Sequence, residues 1–345
     1  MNEKHDLEGL MPEDVELRII VNKPQVCPIP TGSTSSEEHE SFYTELSEHH
    51  LHTAETAINL YPNGTGTVMI PVTVTDQNNR PVPGVNVTFH VEAMNPTGTG
   101  WRTEDGMVAR FGTKSRNKIR QRIQNGRIRL LGTLSRTTAI TDSVGSAETL
   151  YTVSHIGGNQ PQMATEHVIT AIGTDSITTT TINIGYDWMA PIPSVENGLR
   201  IIGAIGTHVH KDLVPRLQML GETIARARWT YPVTITAGNL RWGGLYPPHF
   251  THQQGTELDV RPMTTDGKRG TWQQKNYDRP RTQELVDLLT NIGAGKIYFN
   301  DPQIIGASRL AGHDNHLHVS FTAPVTNMLQ LTDGTKPSPG NLALT

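Results

Sequence analysis

Between residues 55 and 186, apolar and polar residues alternate in short runs interrupted by turn residues, and this period of two constrains the fold more than any other feature. TGTVMIPVTVTD is followed by the turn NNRPVPG and then by VNVTFHVEA; the pattern returns in AETLYTV, HVITAIG and ITTTTINIGY. Successive side chains of a strand point to opposite faces, so each run buries one face and must lay it against another layer. The spacing predicts an all-β, Ig-like sandwich. From about residue 200 the period changes. Asp212 is placed to cap a helix in which Leu213, Leu217, Leu220 and Ile224 recur at helical spacing, and Pro215 falls in the first turn, where a missing N–H is tolerated. VTITAG (233–238) reads as a strand and QELVDLLTNI as a helix stopped by Gly293 and Gly295. KIYFN (296–300) and HLHVSFT (316–322) read as two more strands. The C-terminal third is therefore expected to be α+β around a small antiparallel sheet.

At 345 residues the chain is long enough for more than one domain. Residues 1–54 are polar and acidic and are expected to form an N-terminal arm. The sandwich then covers 55–186. A linker marked by Pro191 and Pro193 follows at 187–199, the α+β domain at 200–325, and a C-terminal tail at 326–345. One segment breaks the sandwich pattern: residues 101–136 carry ten Lys and Arg against Glu104 and Asp105, in a chain whose net charge is −4. Its centre, KSRNKIRQRIQNGRIRLL, reads as an insertion between strands. It is either a solvated basic hairpin or a contact for an anionic glycan, teichoic acid or a partner protein. The net negative charge excludes bulk attraction to nucleic acid. No run approaches the ~20 apolar residues of a membrane span. The acidic N-terminus MNEKHDLEGLMPEDVELRII shows no secretory signal, and Cys27, the single cysteine, excludes an internal disulfide framework.

Seven of the fifteen histidines fall between 208 and 318, five of them in two tight groups. HFTHQQGTELDV carries His249, His252 and Asp259; GHDNHLHV carries His313, His316 and His318. Residues two apart on a strand share a face, so His316 and His318 are expected to project into one site. LDV reads as a strand after the turn at Gly255, which places Asp259 on a rigid element. Two imidazoles and a carboxylate make a three-ligand set for zinc and leave a fourth position for water, as hydrolysis requires. A single His-x-His on a strand belongs more often to packing or surface than to a metal; two groups in one domain outweigh that. Asp314 and Glu257 are candidates to accept the outer N–H of a metal-bound histidine, and each is equally readable as a surface acid. Arg241 is placed to pair with a substrate carboxylate or to brace its own turn.

Two resemblances sharpen these expectations. VTVTDQNNRPVPGVNVTFHV, TDSVGSAETLYTV and ITAIG resemble the bacterial Ig-like repeats of invasins and intimins, which implies a spacer or a module for a docking partner. His-x6-Asp followed by His-x-His resembles the lysostaphin, D-Ala-D-Ala peptidase and hedgehog metallopeptidase group. Within it, RWGGLYPPHFTHQQGTELDV, KIYFNDPQI and GHDNHLHVSF look like the penicillin-insensitive murein endopeptidases, over roughly residues 200–322. Position by position, that resemblance implies Zn2+ held by His252, Asp259 and His318. It implies His316 as the catalytic base or oxyanion stabiliser, with His249 and His313 as accessory active-site histidines close to the metal but not touching it. The implied activity is hydrolysis of peptide cross-links or stem peptides of peptidoglycan, around D-Ala and diaminopimelate, at a periplasmic or extracellular cell wall. With no signal peptide visible, the expected routes are non-classical export, release as a phage lysin, or delivery as an effector by an injection system. Two alternatives remain beside it: an adhesin or structural fibre protein with a vestigial peptidase domain, and a zinc D-Ala-D-Ala peptidase.

Overall fold

A computed structural model describes residues 49–322, apart from 54–56, 95–99, 102–103, 110, 159–162 and 174–175. The acidic arm through residue 48, Cys27 and the tail 326–345 lie outside the described residues.

The first part contains β1 (His50–Thr53), β2 (Ala57–Leu60), β3 (Thr67–Thr75), β4 (Asn86–Met94), β5 (Gly100–Trp101), α1 (Glu104–Ala109) and α2 (Thr113–Gln124). After these come β6 (Thr133–Leu134), β7 (Thr138–Ile140), β8 (Ser146–Thr152), β9 (Ala164–Ile172) and β10 (Ser176–Ile184). One sheet runs β1-β3-β8-β6; the other runs β2-β10-β9-β4-β5, with β7 also on β4. Burial follows the period of two: in β9, Ala164, Glu166, Val168 and Thr170 are buried and the residues between them are partly exposed. Ile70 and Tyr151 of the first sheet share one core with Val168, Ile182 and Ile184 of the second, so the sheets pack face to face. Pro71 sits inside β3, just beyond the stretch that pairs with β1 (Val72 to Thr75), and faces Glu148 of β8. β1 takes the last residues of the expected arm into the sandwich.

The basic insertion is helical rather than a hairpin. Ile119 and Ile123 stand four apart and give α2 one apolar stripe; Ile119, with Met107 and Val108 of α1, is fully buried in the sandwich core. The stretch 187–199, expected as a linker, is likewise folded. β11 (Met189–Pro191) pairs with β13 (His208–His210), and Val195 bridges to Leu199.

The C-terminal part adds β12 (Leu199–Ile201), α3 (Val214–Arg226), β14 (Val233–Ala237), β15 (Glu257–Val260), α4 (Arg279–Asn291), β16 (Ala294–Tyr298) and β17 (Leu317–Phe321). The sheet order is β12-β14-β15-β17-β16, with only the β12–β14 pair parallel. Asp212 does not cap α3. It lies in a 3-10 turn at Lys211–Leu213, where its own N–H is accepted by His210 Nδ1 at 3.2 Å, and α3 starts one residue beyond that turn. Leu217, Leu220 and Ile224 of α3 and Leu285, Val286 and Leu289 of α4 join Leu258, Val260, Leu317 and Val319 in one core. Both helices therefore cover the same face of the sheet. Strand alternation assigns Glu257, Asp259, His318 and Ser320 to the opposite face.

The two parts belong to one compact unit. Leu245 and Phe250 of the C-terminal part enter the sandwich core, and the Leu245 and Trp242 N–H groups are accepted by His155 O at 3.0 Å and Gly158 O at 3.2 Å. Gly243 and Gly244 both have positive φ, and a Cβ at 244 would lie 2.2 Å from the Gly157 nitrogen, so no other residue fits there.

The sandwich also buries an acid. Glu166 Oε2 accepts from Tyr151 Oη and from the Gly132 N–H, both at 2.7 Å, while the buried Oε1 has no hydrogen-bond partner among the described residues. Burial pushes the Glu166 carboxyl above its ordinary value and outweighs those hydrogen bonds. A raised folded value favours the protonated form, so the extra stability is complete below the unfolded pKa and is lost as pH rises through the folded one. Glu166→Gln is expected to be more stable than the wild type at pH 8 by on the order of 1–3 kcal/mol, with the gap closing towards pH 4. Thermal melts across that range test it, and parallel curves for the two proteins would remove the ionisation argument.

Candidate metal centre

Side chains from two adjacent strands and one loop meet on the open face of the C-terminal sheet. Asp259 of β15 and His318 of β17 are direct cross-strand partners, which brings their side chains together on one face. The loop that the sandwich supports delivers His249 and His252. In that loop the Pro247–Pro248 peptide is cis, Tyr246 bridges to His249, and the His252 N–H reaches His249 O at 3.2 Å.

Asp259 is the hub. Its Oδ1 lies 3.3 Å from His252 Nε2 and 3.0 Å from His318 Nδ1, and its Oδ2 lies 2.9 Å from His249 Nδ1. His252 Nε2 and His318 Nδ1 are 3.3 Å apart. His252, Asp259 and His318 are all buried, at 1%, 3% and 8% exposure. His249, His252 and Asp259 form a cluster able to hold a metal ion, with ligand atoms within 4.8 Å of one another. His318 closes a tighter triangle with His252 and Asp259, whereas His249 meets only the far carboxylate oxygen.

Hydrogen bonds around the cluster set its tautomers. His252 Nδ1 donates to the Gly238 carbonyl at 2.8 Å, so its Nε2 faces inward with a lone pair. His318 Nε2 donates to Glu257 Oε2 at 2.9 Å, which turns Nδ1 inward in the same way; Ser320 Oγ donates to that same carboxylate oxygen at 2.6 Å. Two nitrogen lone pairs and a carboxylate oxygen converging at 3.0–3.3 Å repel unless something positive sits among them. Ligands about 2.0–2.1 Å from a tetrahedral zinc stand about 3.3 Å from one another, so the triangle has the dimensions such an ion requires. Without an ion, a proton fills that role. Burial lowers the His318 imidazole, but its hydrogen bonds with Asp259 and Glu257 override this and lift it to about 9. Burial likewise pushes Asp259 up, and hydrogen bonds from His249, His252 and His318 reverse that and hold it well below the carboxylate range.

The remaining histidines line the approach. His316 Nε2 stands 3.8 Å from Asp259 Oδ1, and its Nδ1 is 2.8 Å from Asn315 Oδ1. Burial, with the neighbouring His313, His318 and His249, lowers the His316 imidazole against the opposing pull of Asp259. The His313 ring lies against it, tilted by 38°, with centroids 4.7 Å apart. Glu257 takes the place expected of an outer partner, but Asp314 does not. Asp314 instead accepts from Trp272 Nε1 and Asn300 Nδ2, both at 3.0 Å, and so ties the loop before β17 to two other segments. Arg241 is exposed, lies over the ring of Trp242 at 5.6 Å, and is absent from the group that meets at Asp259. Several contributors have no motif of their own. The Gly238 carbonyl orients His252, and Tyr246 and Tyr298 flank His249 and His318 at centroid distances of 5.0 and 6.1 Å. Asn239 ties the site's backbone together, donating to His208 O and Glu257 O while accepting the Gly255 N–H. A backbone carbonyl leaves no trace in residue type; an asparagine next to the strand end at Ala237 was the one visible signal.

No family model matches the chain, and no curated protein matches it. Among solved structures, the D0-D1 domain of intimin is 15% identical, covering 40% of this chain and 49% of that one, at a TM-score of 0.23. The C-terminal 282-residue fragment of intimin, in complex with the intimin-binding domain of the translocated intimin receptor, is 15% identical over 41% of this chain and 36% of that one, at 0.23. The Yersinia pseudotuberculosis adhesin InvE is 10% identical over 79% and 69%, at 0.30. The chain thus spans half or less of the first two structures. These neighbours are Ig-type adhesin domains, and at such TM-scores the sandwich assignment stands on this chain's own sheet pairing.

Proposed function

We propose that the C-terminal part is a zinc-dependent peptidase acting on peptide cross-links or stem peptides of bacterial peptidoglycan, with His252, Asp259 and His318 holding the metal. The observation that carries the metal is the buried triangle of two lone pairs and a carboxylate oxygen at 3.0–3.3 Å. The substrate class rests on the likeness of the segments around His249–Asp259, Lys296–Ile304 and His313–Phe321 to the murein endopeptidases.

When bound, zinc would supply Lewis acidity, polarising the scissile carbonyl and acidifying a water molecule. The chain's own residues do the rest. His316, beside the triangle and lowered by burial, is neutral near pH 7, so its Nε2 can take the water proton and then return it to the leaving amine. The hydrogen bond from its Nδ1 to Asn315 Oδ1 holds the ring, and His313 lies against it. Glu257 keeps His318 in the tautomer that turns Nδ1 inward, and Gly238 does the same for His252.

A second reading, an adhesin or structural fibre in which the sandwich does the work, is favoured by the two packed sheets. Muropeptide digestion separates the readings. New products are expected from purified chain and sacculi, lost with chelator and restored by zinc. A free terminal D-Ala as sole product would indicate a D-Ala-D-Ala peptidase, and an unchanged muropeptide profile under every condition would leave the adhesin.

A further inference from the structure

The basic insertion and the metal loop, more than a hundred residues apart in sequence, are packed against each other. Phe250, the residue after His249, is 7% exposed and shares a core cluster with Ile119 of α2. Over its ring stand two cations of α2, one helical turn apart: Lys118 Nζ at 4.6 Å and Arg122 Cζ at 4.3 Å from the centroid. A cation–π contact leaves the N–H groups free to bind an anion, and among the described residues neither side chain has a carboxylate partner. Arg120 and Arg127 are exposed nearby. Three arginines of this chain do hold carboxylates, in Arg80–Asp76, Arg279–Asp301 and Arg281–Glu284.

Helix stability does not account for this arrangement. Lys118 and Arg122, and likewise Arg116 and Arg120, are like charges four residues apart, which weakens a helix. Its N-cap, Gly112, makes no side-chain hydrogen bond, and Arg116 stands near the end where the helix dipole disfavours cations, with only Arg122 in the favoured last turn. Lys118 and Arg122 thus stand over the residue that follows His249, with no carboxylate partner among the described residues.

We propose that Lys118 and Arg122 bind carboxylates of the peptidoglycan stem peptide and so position it at the metal loop, a specificity role that rests on the hydrolase reading above. The occupant follows from charge. Stem peptides carry free carboxylates at acidic side chains and at their D-Ala ends, and two cations a helical turn apart can meet two such groups.

The test uses the full chain and the double variant Lys118→Gln/Arg122→Gln, in which the aliphatic stems still cover Phe250. In chelator, where no turnover occurs, wild type is expected to bind native sacculi about three- to tenfold more tightly than sacculi with amidated carboxylates. The double variant should bind the two alike, and Lys118→Arg/Arg122→Lys should restore the difference. With zinc, the double variant's KM on native sacculi should rise by the same factor, with kcat within about twofold. Equal binding by wild type and double variant, or indifference to amidation, overturns the proposal. So does loss of binding when wall phosphopolymers are stripped with carboxylates left intact, which would assign the surface to phosphate. Absence of hydrolysis in every condition would sink the hydrolase reading alone, because the binding arm needs no metal.

Discussion

Replacing Asp259 with Asn is expected to strip the metal and end catalysis together. Bound zinc should fall from about one per chain to under a tenth, and muropeptide release should drop by at least about a thousandfold. Among the described residues the carboxylate is the one anion that touches all three of His249, His252 and His318, and the amide that replaces it carries no charge to offset a cation. Its N–H2 would also point at inward lone pairs or force one imidazole to turn. Ligand linkage gives a readout that needs no substrate. Zinc at 100 times its Kd stabilises the wild type by about 2.7 kcal/mol, and the variant should gain nothing. A variant that kept its zinc, or still melted higher with zinc added, would show that the metal lies elsewhere.

Replacing His316 with Gln should separate metal from chemistry. Bound zinc is expected to remain near one per chain, because His316 Nε2 lies 3.8 Å from Asp259 Oδ1, outside the tight triangle. Loss of a general base removes about 10²–10⁴ from kcat, and KM should move little because the proton transfer belongs to the transition state. Loss of zinc together with activity would make His316 a ligand, and an unchanged kcat would leave proton transfer to another group. His313 is the neighbouring alternative, its ring centroid 4.7 Å from that of His316.

Much of this geometry was legible from spacing. The period of two in HLHVSFT and LDV is a local property, since a strand's pleat assigns alternate residues to opposite faces whatever surrounds it. Leu258, Val260, Leu317 and Val319 go to the core under the helices, so Asp259 and His318 have to share the other face once the two strands pair. Leu217, Leu220 and Ile224 were readable for the same reason, because the helical repeat alone puts them on one stripe. Other expectations failed where a local signal met a tertiary competitor. Asp212 has the chemistry of a cap, but a 3-10 turn ending at Leu213 displaces the start of α3. Asp314 neighbours the His-x-His, yet Trp272 and Asn300 reach it first. The prolines of 187–199 suggested an extended link, and pairing with β13 folds it.

Local order, then, came from the chain's own periodicities: two packed sheets, two amphipathic helices, and metal-type ligands placed on one strand face. Which segments met was decided by packing. The Gly243–Gly244 backbone lies against Gly157, Phe250 is buried beside Ile119, and a basic helix from the sandwich stands over the loop that carries His249. Contacts of that kind depend on side-chain and backbone volume fitting across more than a hundred residues, and no short-range pattern records which surface will be opposite.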